Sequence, residues 1–225
     1  MTDTAPTPAR SKTLKIDFVS DVACPWCAVG LYALQEALRR LPGQAVELRL
    51  QPFELNPAMG PEGEDSTEHL ARKYGRTPAQ LEEARAHLRQ RGAEVGFSFG
   101  PRTRIWNTFD AHRLLHWAGS QGRQVELKRA LLKAYQTDDR NPSDPVVLLD
   151  AAREASLDAD AARQVLEEGR YAEEVRAQER HWQEMGIHSV PSVIVNDRYL
   201  IQGAQPPEAF EQALRRIAEE EGQEG

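Results

Sequence analysis

Cysteine is nearly absent from these 225 residues: there are two, Cys24 and Cys27. Two cannot form the multi-bridge framework of a small secreted domain, nor the four ligands of a structural zinc site. A metal would need histidines or carboxylates brought from afar, so neither a metal nor another cofactor is expected. Long apolar runs are missing too, and no stretch approaches the roughly 20 residues a membrane-spanning helix needs. Positive charge is in deficit: 28 Lys and Arg stand against 35 Asp and Glu, a formal net charge of −7. That balance argues against nucleic acid as a partner. The first 13 residues lack the apolar segment of a signal peptide and read as a disordered lead, which places the protein in the cytoplasm. Thiols are kept reduced there, so a disulfide is more readily catalytic than structural. No internal repeat is apparent, and a hydrophobic content of 40% supports a real core.

What is present is concentrated around the two sulfurs. Residues 16–19 read as a short buried strand, β-branched and apolar apart from Asp17. Residues 27–41 read as a helix, with Leu31, Leu34, Leu38 and Leu41 along one face. The C-x-x-C pair therefore lies where a strand ends and a helix begins. Free backbone N–H groups and the helix dipole favour a thiolate there. Cys24 is expected exposed at the helix tip; Cys27, about one turn in, is expected shielded. One sulfur can then attack or be attacked while the other resolves the mixed disulfide.

Further along, Pro42-Gly43 breaks the helix and residues 44–53 alternate as a second strand, giving a βαβ unit with parallel strands. Residues 65–185 read as helical throughout, with no convincing strand. Thr77-Pro78-Ala79-Gln80 forms a capping box, Asp144-Pro145 and Asp158 start further helices, and one helix is expected over 102–118. Gly186 closes the last of them. Residues 192–195 and 198–202 then form a hairpin around Asn196-Asp197, and Pro206-Pro207 leads into a final helix with a frayed acidic tail from Glu219. The expected fold class is α/β. A thioredoxin-like domain (βαβ from 14–63, ββα from 186–225) carries a large inserted all-helical subdomain, 64–185, as a lid beside the Cys24 loop.

This order resembles the thioredoxin superfamily, and the inserted helices resemble its DsbA-like branch. Five stretches are similar to the FrnE-like group of DsbA-family thiol–disulfide oxidoreductases. They are Ser20-Asp21, Cys24-Pro25-Trp26-Cys27-Ala28-Val29-Gly30, Asn107-Thr108 with Ala111-His112-Arg113, Gly186-Ile187 with Val190-Pro191, and Gly203-Ala204-Gln205-Pro206. The resemblance implies exchange of a Cys24–Cys27 disulfide or dithiol with protein or small thiols, with glutathione or thioredoxin as electron partner. The hydroxychromene-carboxylate isomerases share this fold, have serine at the position matching Cys24, and use glutathione. A glutathione-dependent isomerase or transferase is thus one alternative, and a non-catalytic DsbA-like adaptor is another. Trp26 stands where periplasmic DsbA proteins have histidine, which implies a less oxidising couple.

Supporting residues are weighed on the same basis. Val190-Pro191 is expected to be cis and to face the dithiol, keeping backbone groups rather than a metal-binding side chain beside Cys24. Asp17 is either a buried acid taking the proton of the second cysteine or a solvent-facing residue at a strand edge. His112 is either a core histidine or part of the substrate groove. His188, three residues before Pro191, either faces Cys24 or points to water. The other histidines and Trp106, Trp117 and Trp182 read as surface or packing residues.

Overall fold

The computed structural model describes residues 12–223, so the lead expected over 1–13 lies outside them except for Lys12 and Thr13. Strands β1 (Leu14–Ser20) and β2 (Val46–Pro52) flank helix α1 (Pro25–Arg39) and pair in parallel from Leu14↔Val46 to Ser20↔Pro52. Strands β5 (Ser192–Val195) and β6 (Tyr199–Gln202) return antiparallel, and the sheet order is β2-β1-β5-β6. Asn196 and Asp197 both take left-handed backbone angles, the geometry that a tight two-residue hairpin needs. One face of β1 buries Leu14, Ile16 and Phe18 against Leu31 and Leu34 of α1 and against Phe210 and Leu214 of the last helix, α9 (Pro207–Gln223). The opposite face sets Val19 against Phe53, Trp182 and Ile187. The α/β, thioredoxin-like expectation agrees with this architecture.

Between β2 and β5 lie helices α2 (Ser66–Tyr74), α3 (Pro78–Glu94), α4 (Phe109–Ser120), α5 (Gln124–Leu132), α6 (Pro145–Glu154), α7 (Ala159–Glu167) and α8 (Ala172–Glu184). The capping box at Thr77 forms with both of its hydrogen bonds, and Asp144 and Asp158 cap α6 and α7 with their side chains. Leu114, Leu127, Leu131, Tyr135, Leu148 and Val165 build a core of their own, and that core extends to Val22 and Ala23 of the loop before Cys24.

Three local expectations are corrected. Residues 102–107 are not helical: Arg102 has a positive φ of 44°, and Thr103 bonds to Asp139 through both its N–H and its hydroxyl. Arg104–Ile105 (β4) pairs with Glu64–Asp65 (β3), so a two-stranded ribbon interrupts the helices. After α5 the chain makes one π-helical turn, Lys133–Thr137. The acidic tail is helical through Gln223, tied by Arg216–Glu220 and by the Tyr199 hydroxyl on Glu220.

One contact between the parts is unusual. The Gln124 side chain at the start of α5 accepts from the Leu50 N–H (2.8 Å) and donates to the Leu50 carbonyl (3.0 Å). Its amide thus occupies ladder groups on the outer edge of β2.

Candidate active site

Both cysteines are free thiols in the structure. Cys24 is the N-cap of α1 in extended conformation, and Pro25 opens the helix where its missing N–H costs nothing. Cys27 lies in the first turn and is fully buried. The expected exposure of Cys24 is corrected: it is only 4% accessible. It is not sealed, however. It lines a cavity of about 750 Å³ with Trp26, His69, Lys73, Tyr74, Arg85 and His87. His69 and His87 read from the sequence as surface or packing residues; here His87 packs on the Trp26 ring at 5.7 Å and both face the cavity.

The two thiols differ sharply. A hydrogen bond from the Cys27 side chain, helped by the Cys27 and Trp26 backbone N–H groups, holds the Cys24 thiol below its ordinary value despite burial. Burial, together with the neighbouring Cys24 charge, pushes Cys27 well above it. A thiolate at Cys24 and a thiol at Cys27 is therefore the favoured state of the reduced pair. Iodoacetamide near neutral pH is expected to label Cys24 first and Cys27 far more slowly, as peptide mass spectrometry of the reduced protein would read; equal labelling would contradict this asymmetry.

The Val190–Pro191 bond is cis. The Cys24 Sγ lies 3.5 Å from the Val190 carbonyl oxygen, to which it donates in its thiol form, so this loop does reach the first sulfur. Pro191 rests on Gly30 of α1: a Cβ on that glycine would come within 2.9 Å of the proline Cγ. Gly30 is thus the residue that lets the loop close onto the helix bearing both cysteines.

The other candidates separate. Asp17 is buried and accepts from Gln51 at 2.5 Å. Period-2 alternation puts it on the face of β1 away from Ile16 and Phe18, which pack on α1, so it is not the acid beside the dithiol. His188 is exposed, does not line the cavity, and does not face Cys24. His112 is a core residue, with Nε2 3.4 Å from Asp21 Oδ1.

Asp21 is the acid that sequence reasoning passed over, although it stands within a quoted motif. It is fully buried and accepts from the N–H groups of Ala23 (3.0 Å) and Leu55 (2.7 Å) and from the Thr108 hydroxyl (2.7 Å). Burial opposes its charge, but these bonds and His112 prevail and hold its carboxyl below the usual range. The rest of the loop is gripped as closely: Gln136 donates to the Val22 carbonyl (2.7 Å) and Arg102 to the Ala23 carbonyl (2.9 Å). Every residue from Asp21 to Ala23 is thus tied to the inserted helices or their connections.

Residues 15–215 match the family described as the DSBA-like thioredoxin domain. The chain belongs to this family. Among solved structures it is similar to a probable DsbA oxidoreductase from Streptomyces coelicolor, at 36% identity and a TM-score of 0.84 over 90% of this chain and 89% of that one. It is 28% identical to the uncharacterized protein YwbO of Bacillus subtilis, over 90% of this chain and 96% of the relative. The cytosolic disulfide reductase DsbM of Pseudomonas aeruginosa, solved with glutathione, shares the fold: 16% identity, TM-score 0.63, 90% of this chain and 98% of that one. Among the described residues no helix is long and apolar enough to cross a membrane.

Proposed function

We propose that the protein is a cytoplasmic thiol–disulfide oxidoreductase whose Cys24–Cys27 pair exchanges with protein or small-molecule thiols. The observation that carries this reading is the free dithiol at the tip of one helix, with Cys24 lining the cavity beneath the Val190–Pro191 loop and Cys27 buried behind it. In reduction, the Cys24 thiolate attacks a substrate disulfide and releases one thiolate; Cys27 then attacks Cys24 and releases the other. In oxidation, a substrate thiolate attacks Cys24 of the disulfide, Cys27 leaves, and a second substrate thiol completes the exchange. The direction follows the reduction potential of the couple against its partner. In this reading the thioredoxin-like part, 14–63 with 186–225, carries the exchange, and the inserted part, 64–185, shapes access to it.

Val190 and Pro191 present backbone to the bound substrate, and Pro25 and Trp26 set the position of Cys24. Lys73, Arg76 and Arg85 give the cavity a positive lining, which suits the carboxylates of glutathione or of an acidic peptide. Glutathione or thioredoxin is the electron partner in this reading, with neither nucleic acid nor membrane involved. DsbM is cytosolic and was solved with glutathione, which supports the compartment and the small-thiol partner.

The test is a trapping experiment with Cys27→Ala. The variant keeps the attacking sulfur and lacks the resolving one, so substrates are expected to accumulate as mixed disulfides on Cys24, released by reductant and identified by mass spectrometry. Recovery of no disulfide-linked species, with the variant folded, would remove the exchange reading.

A further inference from the structure

The large cavity is charged against the balance of the chain. The protein carries 28 Lys and Arg against 35 Asp and Glu, yet Lys73, Arg76, Arg85 and Arg102 line this cavity and Glu83 is the one acid among its described lining residues. These cations are not equivalent. Lys73 spends its ammonium on the Leu55 carbonyl (2.9 Å) and on Asn56 Oδ1 (2.8 Å), and Arg85 turns to the hydroxyls of Ser66 and Thr67. Arg76 is exposed in the connection from α2 to α3. Of the four, Arg102 is the one fastened to the loop that bears the nucleophile, by the 2.9 Å bond from its Nη1 to the Ala23 carbonyl.

The backbone is bent to put it there. Arg102 has a φ of 44°, a left-handed conformation that a long side chain seldom adopts. Asp139, itself left-handed, holds the turn by accepting from the Thr103 N–H (2.7 Å) and hydroxyl (2.8 Å). The Thr103 carbonyl in turn accepts from the Ser66 N–H at 2.9 Å. Strain of this kind persists where the surroundings over-determine it, and it gathers at ligand sites. A guanidinium has five N–H donors in a planar fork. Among the described residues the Ala23 carbonyl is the one hydrogen-bond partner of the Arg102 side chain, and no carboxylate pairs with it. The residue is half-buried in the cavity wall, so donors are left for a ligand in the cavity beside Cys24.

We propose that Arg102 is the specificity-determining residue of the exchange, pairing with a carboxylate that the substrate carries beside the sulfur Cys24 attacks. The proposal rests on the exchange reading and names its substrate class: disulfides with an acidic group next to the half-cystine. Arg102 exchanges no proton and the sulfurs alone make and break bonds. It stays charged throughout and offers a carboxylate a charge-assisted, two-point contact. A substrate with a cationic neighbour meets the same guanidinium as a like charge, so attraction and repulsion select in one direction. The carboxylate can come from Asp or Glu of a protein or from the C-terminus of a small peptide thiol.

The test reacts the reduced protein with three disulfides: symmetric dimers of short peptides with Asp or with Lys beside the cysteine, and glutathione disulfide. Thiol release is followed by chromatography, and each rate is divided by that of the same disulfide with dithiothreitol, which removes intrinsic reactivity. Wild type should favour the two acidic disulfides over the Lys peptide at low ionic strength, and salt should erode the preference. In Arg102→Met the preference should fall at least about tenfold, the worth of a hydrogen bond to a charged group. A fall for the Asp peptide identifies a protein carboxylate, a fall for glutathione disulfide a small thiol, and a fall for both a site that takes either. Arg76→Met removes an equal charge from the exposed rim and should lower the preference about threefold at most. Loss of the Ala23 bond or a change in the Cys24 thiolate would slow all three disulfides alike, so an undiminished preference in Arg102→Met would overturn the proposal. A loss as large in Arg76→Met would overturn it too, as the sign of a general field. The wild type supplies an arm that needs no variant: equal rates for all three at low salt would also overturn it. If the wild type reacts with none of them, the exchange reading itself fails and this proposal with it.

Discussion

Cys24→Ser is expected to lose essentially all disulfide exchange, a fall of about a thousandfold or more, because the serine hydroxyl stays protonated where the thiol ionises. The effect should far exceed that of any neighbouring substitution, since Cys24 is the sulfur that lines the large cavity and lies 3.5 Å from the Val190 carbonyl. The measurement is turnover of a scrambled or glutathionylated protein disulfide by wild type and variant at equal concentration. The same variant separates the rival chemistries. A glutathione-dependent isomerase of the hydroxychromene-carboxylate type would retain its activity with serine at this position. An adaptor would retain its partner even in the Cys24→Ser, Cys27→Ser double variant.

Asp21→Ala is expected to be the most destabilising single change in the loop, at about 3–5 kcal/mol. The carboxylate accepts from two backbone N–H groups, from the Thr108 hydroxyl and from His112, and alanine leaves all of them buried with no acceptor. A domain has about 5–15 kcal/mol in total, so much of the variant's stability would be gone. Urea unfolding followed by circular dichroism would read it. The pH dependence carries a sign. The folded-state pKa of Asp21 lies below its unfolded value, so its contribution is complete above the unfolded value, near pH 4, and is lost as the pH falls through the folded one. The gap between wild type and Asp21→Ala should therefore be full at pH 7 and narrow in acid. Glu54 and Glu179, raised chiefly by burial, act in the opposite sense, which is why the difference between variants, not the wild-type curve alone, isolates Asp21.

The parts of this arrangement that were legible in the sequence are local ones. Alternation over 46–52, the apolar run 192–195, the leucine face of α1 and the Pro-Pro start of α9 need only near neighbours, and all of them form. The C-x-x-C junction and Val190-Pro191 are equally local. The helix expected over 102–118 forms from Phe109 onward; its first part failed because Ile105 fits the helical period of Phe109, His112 and Leu115, while Asp139 and β3, both remote in sequence, dictate the backbone of 102–107. Asp17 misled for a related reason: its burial was legible, but which face of β1 carries α1 is a tertiary fact. His69 and His87 were missed in the same way, because the cavity that α2 and α3 line with Cys24 is not written in either helix.

The Gln124 amide on Leu50 has a consequence for self-association. An open sheet offers two edges on which further strands can add, and a chain with both free can stack without end. Here β2 has ladder groups at Leu50 already taken by a side chain from its own molecule. The outer edge of β6, four residues long with Leu200 exposed, is the one left for addition. A sheet with a single open edge can join one other copy, β6 to β6, and then has nothing further to offer. Growth by strand addition would stop at a closed pair instead of running on into a fibre.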